Sequence, residues 1–144
     1  MEFTGTGARR AAAAGRIEQW VHQFMRGSGD NRPLADGLAL QPRWWLGPVM
    51  VPAGLLRRKT GPEEGMEYRV PADEWEAGLP SYIRAIAAAW DVPPLIAEYV
   101  GESELLLADG SHRVEALRAL GRAEIEVVIW FNSEAEWASY RLEP

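Results

Sequence analysis

An apolar run, a turn and a helix follow one another in residues 104–121, and this order constrains the fold more than any other feature of the chain. Residues 105–108 are typical of a buried strand. The Asp109-Gly110 pair is a turn signal, because glycine adopts backbone angles that are costly for other residues. A helix is predicted to follow and to end at Gly121. One face of this helix consists of Arg113, Ala116, Leu117 and Leu120. A helix that begins in this way leaves its first N–H groups unpaired, so residues 111–113 are predicted to bind an anion such as phosphate.

Three side chains at this turn strengthen the prediction of an anion site. His112 and Arg113 lie in the first turn of the predicted helix, where a positive charge opposes the helix dipole unless an anion offsets it. Arg113 can bind phosphate through two parallel hydrogen bonds, and His112 can donate a hydrogen bond or carry a proton. Asp109 can cap the helix, orient Arg113 or His112, or bind a metal. The alternative is that Asp109 is only a cap and that Arg113 pairs with an acid such as Glu115.

The same residues resemble a known signature. Asp109-Gly110-Ser111-His112-Arg113-x-Glu115-Ala116-Leu117, followed by Leu120-Gly121 and an Ile/Val strand, resembles the phosphate-binding loop of the ParB/sulfiredoxin superfamily. Sulfiredoxins carry Gly-Cys-His-Arg, free-serine kinases carry Asp-Gly-His-His-Arg, and ParB proteins carry Gly-Glu-Arg-Arg-x-x-Ala. In each branch this loop binds the phosphates of a nucleotide. The resemblance covers residues 48–131 and is specific from Pro94 onward.

The resemblance implies an α+β fold, in which a small mixed ParB/sulfiredoxin-like sheet has flanking helices and an N-terminal helical extension. Residues 48–144 would form the phosphate- and nucleotide-binding domain. Residues 1–47 would form a helix and a Trp-rich extension that pack on it. The implied ligand is ATP, ADP or CTP with Mg²⁺, bound by Gly110, Ser111, His112 and Arg113. We predict no metal site built from the protein's own side chains.

Two functions are compatible with such a site. The first is a kinase, another phosphotransferase or an NTPase, with a small hydroxyl compound as acceptor and with Glu67, His112 and Asp109 as catalytic residues. Glu67 is nominated only by its order along the chain. In serine kinases, a glutamate between the first strand and the next helices acts as the base on the substrate hydroxyl. Glu63 and Glu64 are rivals for that role. The second is a non-catalytic CTP or ATP switch that passes a conformational change to a partner protein through the N-terminal helix.

Composition excludes several other classes. The chain has no cysteine, so it cannot perform the thiol chemistry of a sulfiredoxin. Its net charge of -6 and its pI near 5.0 argue against a surface that coats nucleic acid, and no clustered acids suggest a nuclease. No apolar run is long enough to cross a bilayer, and no signal peptide is recognised. We therefore predict a cytoplasmic protein with no direct nucleic-acid or membrane partner.

The other predicted elements come from periodicity and turn residues. Trp44 and Trp45 are predicted to clamp the N-terminal extension onto the sheet or, alternatively, to form a wall for a nucleobase. Ser133 and Glu136 form a capping box before a final helix. The predicted ranges are helices at 6–26, 71–77 and 81–90, strands at 49–51, 95–100 and 125–130, a loop at 27–33, and turns at 36–37 and 101–103.

Overall fold

A mixed sheet of five strands forms the centre of the computed structural model, which describes residues 1–101 and 104–142. The predicted α+β class, a small mixed sheet with flanking helices, is confirmed. In chain order the described elements are α1 (Gly5–Ala13), α2 (Ile17–Arg26), α3 (Arg32–Leu38), β1 (Trp44–Pro52), a 3-10 turn (Ala53–Leu55), β2 (Leu56–Arg58), β3 (Thr60–Gly61), β4 (Tyr68–Arg69), α4 (Ala72–Ala87), β5 (Leu95–Gly101), β6 (Glu104–Asp109), α5 (Ser111–Ala119), β7 (Glu124–Phe131) and α6 (Glu134–Leu142).

The five strands lie in the order β1-β7-β5-β6-β2, and β3 pairs with β4 in a separate ribbon of two strands. Strand β7 pairs antiparallel with β1 and parallel with β5. Strand β6 pairs antiparallel with β5 and parallel with β2. Strands β5 and β7 are neighbours in the sheet, and the chain that connects them forms β6, the turn at Gly110 and α5. The predicted anion site therefore lies at the end of β6, beside the start of β5.

Each face of the sheet is covered by its own set of helices. Along β7, Val127 and Ile129 pack with α4, α5 and α6, whereas Val128 and Trp130 pack with α1, α2 and α3. This alternation is the expected consequence of the two-residue period of a strand, and both sets of side chains are buried because helices lie on both sides. Helices α1, α2 and α3 therefore pack on one face of the sheet. The boundary at residue 47 stays a prediction, and β1 begins before it, at Trp44.

Four of the predicted elements are wrong in detail. The single helix at 6–26 is two helices, because Gly15 adopts φ +72° and ends α1 as a left-handed C-terminal residue. The helices at 71–77 and 81–90 are one helix that contains Pro80. A proline inside a helix removes one backbone hydrogen bond, and here buried Trp75 and Ile86 hold the two halves in place. The turn predicted at Asp36-Gly37 lies inside α3.

The remaining predictions agree with the structure where it describes them, except that the loop predicted at 27–33 ends earlier, because α3 begins at Arg32. Strands β5, β6 and β7 and helix α5 lie at the predicted positions. The capping box is present: Glu136 N–H donates to Ser133 Oγ at 3.1 Å, and Ser133 Oγ lies 3.1 Å from the Glu136 carboxylate. The turn predicted at 101–103 includes Glu102 and Ser103, which lie outside the described residues.

Helix α1 is attached to the segment that leads from α4 into β5. The Thr6 N–H lies 3.3 and 3.2 Å from the two carboxylate oxygens of Asp91. Arg9 donates to Glu126 on β7 at 2.9 Å. These contacts join the start of the chain to the segment before β5 and to strand β7.

We expect the stability difference between the natural protein and Asp91→Asn to depend on pH. Hydrogen bonding from Thr6, with help from nearby Arg9, holds the pKa of Asp91 below its ordinary value. Because the pKa of Asp91 is lower in the folded state, its carboxylate stabilises the fold fully at any pH above the pKa of the unfolded state, about 4. This contribution is lost as the pH falls through the pKa of the folded state. Thermal unfolding from neutral pH to about pH 3 should show the difference shrinking at the acid end. Glu64→Gln, in an exposed loop, is the control, and a difference for Asp91→Asn that stays constant with pH would contradict the assignment.

Candidate phosphate-binding site

Strand β6 leads through Gly110 into α5, as the sequence predicts. Gly110 has φ +106° and ψ 31°, and a Cβ atom there would lie 2.4 Å from Leu95 Cδ2 and 3.0 Å from Arg113 Nη2. The position therefore requires glycine, both for its backbone angles and for its space. Gly110 is also the N-cap residue, so no side chain caps the helix. Within residues 1–101 and 104–142, the N–H groups of Ser111, His112 and Arg113 have no hydrogen-bond acceptor.

Arg113 is held inside the protein. The residue is 6% exposed, and its Nη2 lies 2.7 Å from Asp109 Oδ2. Its Nη1 donates to the carbonyl oxygens of Pro93 at 2.7 Å and Pro94 at 3.3 Å. Burial lowers the pKa of the guanidinium, and the negative charge of Asp109 opposes that shift. The carboxylate and the two carbonyl oxygens therefore bind the guanidinium that the sequence analysis expected to bind phosphate. A contact between Arg113 and phosphate stays a prediction.

The alternative pairing of Arg113 with Glu115 is wrong. Glu115 accepts instead from Arg58 at 2.9 Å and from Arg118 at 2.6 Å. Asp109 is not a helix cap either, because its oxygens are engaged elsewhere: Oδ2 with Arg113, and Oδ1 with Asn31 Nδ2 at 2.9 Å. Of the roles considered for Asp109, the structure shows one: its carboxylate pairs with Arg113 and orients that side chain. In the described part of the chain, no three histidine or acidic side chains meet where they could hold a metal ion.

His112 is held between two aromatic rings of α4. Its ring stacks on Trp75 with centroids 4.1 Å apart and lies 5.5 Å from the Tyr82 ring at 4°. His112 Nε2 is 3.1 Å from the Trp75 carbonyl oxygen. Because a carbonyl oxygen only accepts, Nε2 carries the hydrogen, and Nδ1 is the nitrogen left to exchange a proton with a ligand. Gly78 makes room for this ring, since a Cβ atom there would lie 3.1 Å from Nε2.

A cavity of about 360 Å³ lies at the start of α5, and we call it the α5 cavity. All five predicted residues of the turn, 109–113, line it. The rest of its wall was not predicted, because those residues lie in separate segments of the chain that only packing brings together. The other lining residues are Phe3, Phe24, Ser28, Gly29, Tyr82, Trp90 and Pro93.

Glu67 is not among the residues that line the α5 cavity. Its carboxylate is 57% exposed and lies 3.7 Å from Lys59 Nζ. Glu63 pairs with Arg58, and the hydrogen bond from Arg58 lowers the pKa of Glu63. A catalytic role for Glu67 stays a prediction, and the structure does not bring it together with His112 and Asp109 around this cavity.

Trp44 and Trp45 pack on opposite faces of the sheet and do not line the α5 cavity. The Trp45 ring lies 6.4 Å from Trp130 and 6.5 Å from His22 of α2, and its carbonyl oxygen accepts from Trp137 Nε1 at 2.9 Å. These contacts favour the clamp over the nucleobase wall.

No protein-family model matches the chain, and no curated protein matches it. A solved structure described as a pNOB8-like ParB N-domain is similar in fold, with a TM-score of 0.41 and 17% sequence identity. The match covers 67% of this chain and 31% of that one, so the chain spans about a third of the length of its structural neighbour. This likeness concerns the fold and says nothing of a ligand. Separately, none of the described helices combines the length and the apolar character needed to cross a membrane.

We expect Asp109→Ala to destabilise the protein strongly, because it leaves a buried guanidinium without its carboxylate. Breaking a buried pair in this way costs about 3–5 kcal/mol. Glu104→Ala is a matched control that breaks the exposed Arg57–Glu104 pair and should cost less than about 1 kcal/mol. Chemical denaturation measures both free energies of unfolding.

Replacing both partners of the buried pair provides a second check. Asp109→Ala with Arg113→Met should recover much of the lost stability, since no unpaired charge remains inside. Equal losses in Asp109→Ala and Glu104→Ala would show that the Asp109–Arg113 pair is not a buried structural contact.

Proposed function

We propose that the chain binds the phosphates of a nucleotide, ATP, ADP or CTP, at the start of α5. The observation that carries this proposal is the set of three unpaired N–H groups, those of Ser111, His112 and Arg113, beside a cavity of about 360 Å³. Unpaired amides at a helix N-terminus carry partial positive charge and are aligned to donate to phosphate oxygens. Nothing in the described chain accepts from these donors, whereas the side chains of Asp109, His112 and Arg113 have partners.

Further features support a nucleotide over a bare phosphate ion. Phe3, Phe24, Tyr82 and Trp90 give the cavity flat apolar walls, and aromatic faces stack on any base. The cavity volume is near the lower end of the range of about 300–1,000 Å³ that is usual for ligand pockets. Mg²⁺ would arrive with the nucleotide, because this ion is commonly held by substrate phosphates and one or two carboxylates.

The internal pairing of Arg113 changes how we expect the site to work. The guanidinium fixes the geometry of the turn through Asp109, Pro93 and Pro94. The amides of the first turn would then make the direct phosphate contacts, with His112 beside them. The contribution of Arg113 to binding would be mainly to hold the amides in place.

We expect ATP, ADP or CTP, with magnesium, to raise the melting temperature of the protein in a screen that also includes GTP and pyrophosphate. A ligand at about a hundredfold over its Kd adds about 2.7 kcal/mol of stability. Ser111→Asp should abolish this shift, because its carboxylate would sit on the same amides and repel phosphate. The protein should remain folded, since an acid is favourable at a helix N-terminus.

Ser139→Asp is the control for this experiment. It adds the same charge to an exposed position of α6 and should keep the full nucleotide shift. A nucleotide that stabilises Ser111→Asp and the natural protein equally would place the binding site elsewhere.

Two observations favour different uses of the bound nucleotide. His112, with Nδ1 free to exchange a proton, lines the cavity and favours phosphoryl transfer to a small hydroxyl compound. Phe3, Phe24, Ser28 and Gly29 of the N-terminal region also line it, which favours a non-catalytic switch that passes ligand binding to those helices and a partner protein.

Turnover separates the two. If the chain is a phosphotransferase, His112→Gln should keep the nucleotide-induced thermal shift and lower turnover at least about 100-fold, because the glutamine amide can still donate to the Trp75 carbonyl but cannot carry the proton. Phosphorus NMR with serine, glycerol and other small hydroxyl compounds measures turnover. Glu67→Ala tests the remaining candidate base in the same assay. A protein that binds nucleotide without turnover, while hydrogen exchange slows in residues 1–38, is a switch.

A further inference from the structure

The four aromatic residues in the wall of the α5 cavity are not equivalent. Three of them belong to the hydrophobic cores: Phe3 and Phe24 pack with the core of the N-terminal helices, and Tyr82 packs with the core on the other face of the sheet. Trp90 packs with neither core in the described part of the chain, and it is 37% exposed. Core packing therefore does not account for an indole at position 90.

Phe24 and Tyr82 already use their ring faces inside the protein. The Phe24 ring stacks on Trp20, with centroids 5.0 Å apart and 7° between the planes. The guanidinium carbon of Arg113 also lies 5.6 Å from the centre of the Phe24 ring. The Tyr82 ring lies 5.5 Å from the His112 ring, at 4°. A ligand in the α5 cavity would have to displace such contacts in order to stack on either residue.

The Trp90 ring carries no comparable contact. Its one described ring neighbour is Tyr82, with centroids 6.3 Å apart and the planes inclined by 46°. Across residues 1–101 and 104–142, no cation lies over the Trp90 ring. The same side chain also borders a shallow apolar surface with Ser81, Tyr82 and Ala85, outside the α5 cavity. A flat ligand can therefore stack on the indole without displacing a ring or a cation.

The backbone at the end of α4 holds Trp90 in place. The Ala89 N–H donates to the Ile86 carbonyl at 3.1 Å, and the Trp90 N–H donates to the Ala85 carbonyl at 3.0 Å, which is the hydrogen-bond pattern of a Schellman motif. Ala89 has φ +69°, a left-handed conformation that is costly for alanine and is usually adopted by glycine. Trp90 is thus attached to a fixed helix end, and a ligand that stacks on it need not order a loop first.

We propose that Trp90 determines the specificity of the α5 cavity by stacking on the base of the bound nucleotide, and that it favours a purine. This inference rests on the proposed function, in which the amides at the start of α5 hold the phosphates. The Tyr82 ring lies between the His112 ring of that first turn and the Trp90 ring, so the two ends of a nucleoside diphosphate can reach both places. The fused rings of a purine overlap an indole more fully than the single ring of a pyrimidine, so ADP should bind more tightly than CDP.

The test is calorimetric titration with ADP, CDP and pyrophosphate, each with magnesium. We expect ADP to bind the natural protein at least about tenfold more tightly than pyrophosphate, because a stacked base contributes that much or more. Trp90→Ala should bring the Kd of ADP to that of pyrophosphate and leave the Kd of pyrophosphate unchanged, whereas Trp90→Phe should keep most of the gain. Tyr68→Ala is the matched control, because it removes an exposed aromatic side chain outside the α5 cavity and should change neither Kd.

Adenosine tests the base contact without the phosphates. In ¹⁵N NMR spectra the seven indole N–H signals are followed, and the Trp90 signal is the one lost in Trp90→Phe. Adenosine should shift this signal saturably both in the natural protein and in Ser111→Asp, in which the amides are blocked. If it does so while neither ADP nor pyrophosphate binds more tightly than adenosine, the proposed phosphate site fails and the role of Trp90 stands.

Three outcomes would overturn the role of Trp90. The first is a Trp90→Ala variant that binds ADP as tightly as the natural protein does, with pyrophosphate still bound, which would leave the phosphate site intact. The second is tighter binding of CDP than of ADP. The third is a Trp90 signal that neither adenosine nor ADP shifts.

Discussion

The buried contact between Arg113 and Asp109 is the interaction on which the rest of the site depends. A guanidinium in the interior must be paired and hydrogen-bonded, or it destabilises the fold. Here its partners come from separate parts of the chain: Asp109 at the end of β6, and the carbonyls of Pro93 and Pro94 before β5. Phe24 of α2 covers it, with its ring centre 5.6 Å from the guanidinium carbon. Satisfying one buried charge thereby places the turn, the sheet edge and the N-terminal helices relative to one another.

Much of the fold could be predicted because local signals and packing agree. The apolar runs of β6 and β7 each match a buried strand, and the glycine after Asp109 matches the start of α5. The errors arise where local signals conflict with context. Gly15 lies within an apparently continuous helical pattern but adopts a left-handed conformation, so one helix became two. Separate helices were predicted on the two sides of Pro80, yet the packing of α4 on α5 outweighs the single hydrogen bond that the proline removes.

The candidate site was predicted only in part, for a physical reason. A cation in the first turn of a helix requires an anion, but sequence does not say whether that anion belongs to the protein. For Arg113 the anion is Asp109, one turn earlier, which was one of several roles that the sequence left open for Asp109. The aromatic wall was missed because Phe3 and Phe24 reach the cavity only after the N-terminal helices pack across the sheet. Such contacts join residues far apart in the chain and leave no local pattern.

The same network joins the N-terminal helices to the turn at the start of α5. Asn31 donates to one oxygen of Asp109, Arg113 donates to the other, and the amides of α5 follow directly from that turn. A ligand that shifts the turn must therefore change contacts with Asn31 and Phe24. Coupling between two sites is reciprocal. If a ligand at the start of α5 changes the affinity of the N-terminal helices for a partner, that partner must change the affinity for the ligand by the same factor. The extension would then contribute energetically to the proposed nucleotide site, whether or not that site supports turnover.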